Sequence, residues 1–194
     1  MNRLLLLLVT IALPFSVQAE PEKEAAWSEW TAAMGLQMWR PMYAVDGDAF
    51  DKPTIGGVLK LNKTLTDVLG MHLRGSYGVH KSETPNRDGD GQAWAVGAGM
   101  DFYVTLSKKA QWSNTFGIGY SQSSIEFGGV DGTDLKSIGG YFVTTFDVTV
   151  YGPIGIWMDW GCQIVGPSMG ESDAGDISVW HINPMGAGGM RMDF

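Results

Sequence analysis

One cysteine, three histidines and only 13 lysines and arginines in 194 residues set narrow limits on this chain. The lone Cys162 permits no internal disulfide. Thirteen basic against 21 acidic side chains give a formal net charge of −8, which argues against a nucleic-acid partner, since that would call for a basic face. Long apolar runs are scarce as well. Beyond the N-terminus, charges or glycines interrupt every such run before it reaches the roughly 20 residues of a spanning helix. Low-complexity linkers and helical repeats are also lacking, so one domain is the natural reading.

An export signal is present at the N-terminus. Arg3 supplies a positive charge, residues 4–13 are almost unbroken apolar sequence, and Val17 and Ala19 are the small residues a signal peptidase reads. The apolar stretch is too short for a retained membrane helix, and no cysteine follows it to carry a lipid anchor. Cleavage after Ala19 is expected, leaving 194 − 19 = 175 residues and, with Arg3 lost, a balance of 12 − 21 = −9. Residues 20–31 are charged and aperiodic and read as a periplasmic lead-in to a domain over 32–194.

Beyond residue 31 the side-chain period is two, as in strands whose faces meet different media. The pattern predicts eight strands, at 32–43, 54–62, 69–80, 92–105, 111–123, 136–150, 154–165 and 178–194. In the fourth, Trp94, Val96, Ala98, Met100, Phe102 and Val104 oppose Ala95, Gly97, Gly99, Asp101 and Tyr103. At the C-terminus, Met190, Met192 and Phe194 oppose Gly189, Arg191 and Asp193. Tryptophan lies on the apolar face, while glycine and ionisable groups lie on the polar one. That suits lipid outside and a polar interior, the reverse of a soluble sandwich or lipocalin-like barrel. The expected fold is therefore all-β, an eight-stranded antiparallel up-and-down transmembrane barrel.

Connections alternate in length. Those at 63–68, 106–110 and 151–153 are short, and those at 44–53, 81–91, 124–135 and 166–177 are longer and polar. Short turns face the periplasm in such barrels and long loops face outside. Two aromatic girdles are expected: Phe102, Trp112, Phe146 and Phe194 near the periplasm, and Tyr77, Trp94, Tyr120, Trp160 and Trp180 near the outside.

The inward face carries a candidate lumen network of Lys60, His72, Arg74, Asp101, Asp147, Asp159, Arg191 and Asp193. Arg74 and Asp159 lie on the third and seventh strands, opposite each other in a ring of eight, and both are expected near mid-height. Lys60, Asp101, Asp147, Arg191 and Asp193 are expected as a second mixed-charge layer nearer the periplasm. Inward glycines such as Gly97, Gly99, Gly117, Gly119, Gly139 and Gly189 leave room for the bulky inward Tyr103, Tyr141 and Trp157.

With these patterns in hand, the chain resembles the small eight-stranded outer-membrane barrels of the outer membrane protein A and protein X type. The resemblance covers 32–194 and rests on alternation, loop parity and the terminal segment 190–194. It implies an outer-membrane location in a Gram-negative bacterium. Outer-membrane lipids and lipopolysaccharide are the expected partners, and the expected state is a monomer. Met190, Met192 and Phe194 resemble the signal read by the barrel assembly machinery.

Chemistry is sparse. Asn86-Arg87-Asp88-Gly89-Asp90-Gly91 resembles the front half of a calcium loop, but Gly97 stands where the twelfth-position Glu belongs, so an EF-hand is excluded and a solvated hairpin turn is expected. Ser178 and His181 fall on opposite faces of a strand, and Ser76 and His80 are too far apart along one for a hydrogen bond. No catalytic residue, metal ligand or cofactor is predicted. The expected role is structural, surface-interaction or envelope-stabilising, with a lumen plugged by side chains. The alternatives are a lipid A-modifying deacylase or acyltransferase and a narrow channel.

Overall fold

In the computed structural model the described residues are 29–39, 43–45, 48–50, 53–83, 88–127, 134–165, 169–171 and 181–194. The expected signal peptide, most of the lead-in, Ser178 and Trp180 lie outside them. The strands are β1 (Trp30–Trp39), β2 (Tyr43–Val45), β3 (Asp48–Phe50), β4 (Thr54–Thr66), β5 (Leu69–Glu83), β6 (Asp88–Thr105), β7 (Ala110–Phe127), β8 (Asp134–Tyr151), β9 (Ile154–Val165), β10 (Met169–Glu171) and β11 (His181–Asp193). Eight of them, β1, β4 to β9 and β11, pair antiparallel in a ring that closes through β8 with β9 and β1 with β11. The expected all-β, eight-stranded antiparallel barrel is the observed fold.

The pleat explains the closure. Outward positions carry apolar side chains that stay uncovered, with Leu36 72%, Ile118 72% and Ile138 70% exposed, whereas the inward Asp159 is 2% and Arg191 4% exposed. A soluble protein places these groups the other way round. The ring also gives every barrel strand two ladder partners, so no edge is left open.

The short turns match their sequence signals. Gly152 takes a φ of 54° between β8 and β9, a left-handed conformation that glycine adopts without steric cost, and Pro153 follows it. Between β6 and β7 the Leu106 amide donates to the Ala110 carbonyl at 3.0 Å, while Ser107 Oγ accepts from the amides of Lys109 and Ala110. The last strand is tied to the first beyond its assigned end, because the Phe194 amide donates to the Trp30 carbonyl at 3.0 Å.

Several boundaries differ from expectation. The first barrel strand begins at Trp30 and ends at Trp39, and Tyr43 belongs to a separate small hairpin of β2 with β3. Residues 88–91, expected in a turn, extend β6 and pair with β5, from Glu83 opposite Asp88 to His80 opposite Gly91. Likewise β10, inside an expected loop, adds to the end of β8. In the last two cases inter-strand pairing runs past the point where hydrophobic alternation fades, because ladder bonds need no apolar side chain.

Candidate functional site

The lumen is crossed by side chains that meet in three connected groups. At the centre is Asp159 on β9, whose carboxylate is 1% exposed and accepts from three neighbours. Lys60 Nζ on β4 donates to Oδ1 at 3.1 Å, Arg74 Nη1 on β5 to Oδ2 at 2.7 Å, and Thr145 Oγ1 on β8 to Oδ1 at 2.6 Å. Arg74 Nη2 continues to Gln37 Oε1 on β1 at 2.7 Å, and the Lys60 ammonium lies 4.4 Å from the centre of the Trp157 ring. A buried carboxylate is tolerable only with such a full set of donors. Here the donors come from three strands other than its own.

The second group is built around His72. Its Nδ1 lies 3.0 Å from Asp101 Oδ1 and its Nε2 lies 2.5 Å from the Tyr141 hydroxyl. The pairing assigns the proton to Nδ1, which donates to the carboxylate, and leaves Nε2 to accept from Tyr141. Asp101 also accepts from Thr115 Oγ1 at 2.5 Å and from the Tyr103 hydroxyl at 3.3 Å. Strands β5 to β8 are thereby joined across the interior.

Nearest the short turns, Arg191 on β11 pairs with Asp193 and with Asp147, whose Oδ1 is 3.3 Å from Nε, and its Nη2 donates to Thr149 Oγ1 at 2.8 Å. Thr31 Oγ1 on β1 donates to Asp193 Oδ1 at 3.0 Å.

Glycine makes the packing possible. A Cβ at Gly117 would fall 2.2 Å from Tyr141 Cζ, one at Gly70 2.3 Å from the Tyr103 hydroxyl, one at Gly99 2.8 Å from His72 Cε1, and one at Gly155 2.7 Å from Arg191 Nε. Each large inward group occupies space that a facing residue leaves vacant. Tyr103, Tyr141 and Trp157 are all buried inward, as the alternation indicates.

The two-layer expectation needs correcting. Lys60 and Asp101 do not join the layer near the short turns, because Lys60 is the direct cross-strand partner of Arg74 and Asp101 sits beside His72. Counting residues from strand starts ignored the stagger between neighbouring strands. Gln37, Thr115, Thr145, Thr149, Tyr103 and Tyr141 complete the groups and were absent from the expected set. The signal that marks them is inward parity combined with polarity.

The outward aromatics also regroup. Trp94 and Tyr120 pack at a centroid distance of 5.3 Å, and Tyr77 is the cross-strand partner of Trp94. Trp160 was expected in that girdle but packs on Trp112 at 5.0 Å, and Trp112 also packs on Phe146, while Phe116 packs on both Phe102 and Phe142. Tilt again explains the shift, since Trp160 is two positions along β9 from the level of Trp112 and Phe146.

No grouping of His, Cys, Asp or Glu suited to a metal ion occurs among the described residues. Side chains at His80 and His181 lie outside the described ones.

No protein-family model and no curated protein matches the sequence. Solved structures do match in shape. Neisserial surface protein A superposes with a TM-score of 0.64 at 12% identity, over 86% of this chain and 98% of that one. Ail, the attachment invasion locus protein of Yersinia pestis, gives 0.55 at 16% identity, over 86% and 99%. The outer membrane protein OprG from Pseudomonas aeruginosa gives 0.53 at 13% identity, over 87% and 97%. The chain thus has the fold of the small eight-stranded outer-membrane β-barrels.

Proposed function

We propose that this protein is an integral outer-membrane barrel of a Gram-negative envelope, with a structural, surface-interaction or envelope-stabilising role and a lumen closed by its own side chains. The observation that carries the reading is the inversion of polarity: Leu36, Ile118 and Ile138 are among the most exposed side chains, while Asp101, Asp159 and Arg191 are buried. That distribution is stable where the outer surface meets lipid. The aromatic clusters around Trp94 and Trp112 support it, since such rings favour membrane interfaces. Closure of the lumen is supported by the three groups around Asp159, His72 and Arg191, which draw on all eight barrel strands.

On this reading a cleaved signal exports the chain, the assembly machinery inserts it, lipids and lipopolysaccharide surround it as a monomer, and it performs no chemistry on lipid A. Two measurements test it. The protein should fractionate with outer membranes, require detergent for extraction, and migrate differently in dodecyl sulfate before and after boiling. Lipid A from deletion and overexpression strains should show identical acylation by mass spectrometry. A stable detergent-free soluble monomer would refute the location, and altered acyl chains would refute the absence of enzymatic activity.

A further inference from the structure

The short-turn end of the barrel reverses the charge of the chain as a whole. The protein carries a formal net charge of −8, yet the turn joining β6 to β7 presents two adjacent lysines, Lys108 and Lys109, both exposed. Neither forms an ion pair with a described residue. Lys63, the other lysine at this end, is matched by Glu29 at 3.5 Å. Beyond that pair, the exposed acidic side chain here among the described residues is Asp67, in the turn joining β4 to β5. The terminal carboxylate follows β11, three strands from β7. The rim at β6 and β7 is therefore locally positive.

The turn holds both lysines in place by its backbone. Ser107 Oγ accepts from the Lys109 amide at 3.2 Å and the Ala110 amide at 3.1 Å, and the Thr149 amide donates to the Lys109 carbonyl at 2.7 Å. That last bond runs the end of β8 alongside the turn. Leu106, Val150 and Tyr151, which are 55%, 58% and 81% exposed, thus share the rim with the two cations. One step further along the outward wall, Trp112 packs on Phe146 at 6.3 Å. From the wall to the tip the order is aromatic rings, uncovered apolar side chains, then ammonium groups. A lipid leaflet offers the matching order of acyl chains, interface and phosphate. A soluble polyanion would match the lysines alone and leave the apolar groups in water.

We propose that the β6–β7 turn and the end of β8 form a docking surface for an anionic glycerophospholipid in the leaflet facing the short turns. Its phosphate sits on Lys108 and Lys109, and its acyl chains run along Leu106, Val150 and Trp112. Lysine serves this purpose as a point charge on a flexible stem, which sets no strict geometry on the headgroup. The site rests on the proposed membrane location and goes beyond it by naming a lipid class and a side of the barrel.

The test is native mass spectrometry of the full barrel folded in detergent micelles. Phosphatidylglycerol and phosphatidylcholine with the same acyl chains are titrated in separate arms. A lysine near an anionic lipid surface contributes about fivefold in affinity, so two should make phosphatidylglycerol half-saturate at a concentration about twentyfold lower. Lys108→Gln combined with Lys109→Gln should bring the two lipids together, and since both side chains are exposed the substitutions leave the packing intact. Lys136→Gln, at an exposed lysine near the other end of β8, should keep the preference. Equal binding of both lipids by the wild type, a preference that survives the double substitution, or one that falls equally in Lys136→Gln overturns the proposal. Heat-modifiable migration of the same samples reports the membrane barrel separately, so a folded barrel without lipid preference refutes the docking surface and leaves the proposed function standing.

Discussion

Arg74 and Asp159 stand on β5 and β9, four strands apart in a ring of eight, yet Arg74 Nη1 and Asp159 Oδ2 are 2.7 Å from each other. Contact across the full width of the interior is possible because an eight-stranded barrel is only wide enough for its side chains to fill. The pair therefore acts as a crossbar, with Lys60, Thr145 and Gln37 bracing its ends.

Removing the carboxylate should be costly. Asp159→Asn leaves Lys60 and Arg74, each 8% exposed, buried without their counter-charge. Breaking a buried pair in this way costs about 3–5 kcal/mol. Urea unfolding of the barrel reconstituted in lipid vesicles, followed by tryptophan fluorescence, should show that loss. A midpoint within error of wild type would mean that water reaches the cations freely.

Two glycines, Gly117 on β7 and Gly75 on β5, give a sharper contrast. Gly117→Ala would set its Cβ 2.2 Å from the Tyr141 ring, whereas a Cβ at Gly75 meets nothing within 4 Å. Overpacking of this kind costs about 1–3 kcal/mol. The first variant should unfold at lower urea than wild type and the second should not. Equal stability would show that Tyr141 has space to retreat.

Phe194 is held by its backbone amide on the Trp30 carbonyl, a bond that Phe194→Asp leaves possible. The variant therefore isolates the side chain, which is 64% exposed on the outward face. Outer-membrane levels under native expression should fall. Unchanged levels would remove the terminal aromatic from the assembly pathway.

Topology is testable with thiols after Cys162, the native cysteine, is replaced. Cysteine at Asp131, in the segment joining β7 to β8, should react with an impermeant reagent on intact cells, and cysteine at Lys108, in the short turn joining β6 to β7, should not. The opposite pattern would invert the barrel.

Alternation made most of this architecture legible. The outward parity of Met190, Met192 and Phe194 is visible in the sequence, and strand count alone sets Arg74 opposite Asp159. The levels of Lys60 and Trp160 were not legible, because they depend on stagger between strands, and a side-chain period of two carries no information on that offset. The contact of Tyr141 with His72 was hidden for another reason. It requires Gly97, Gly99 and Gly117 to leave one shared space from two different strands, a coincidence that appears only once β6 and β7 are in register.

The claim that the lumen is closed by the crossbar is tested most directly by conductance in a planar bilayer. Purified wild-type protein should be silent and Arg74→Ala should show openings, since the substitution removes the links to both Asp159 and Gln37. Large, stable single-channel currents from the wild-type barrel would contradict the account.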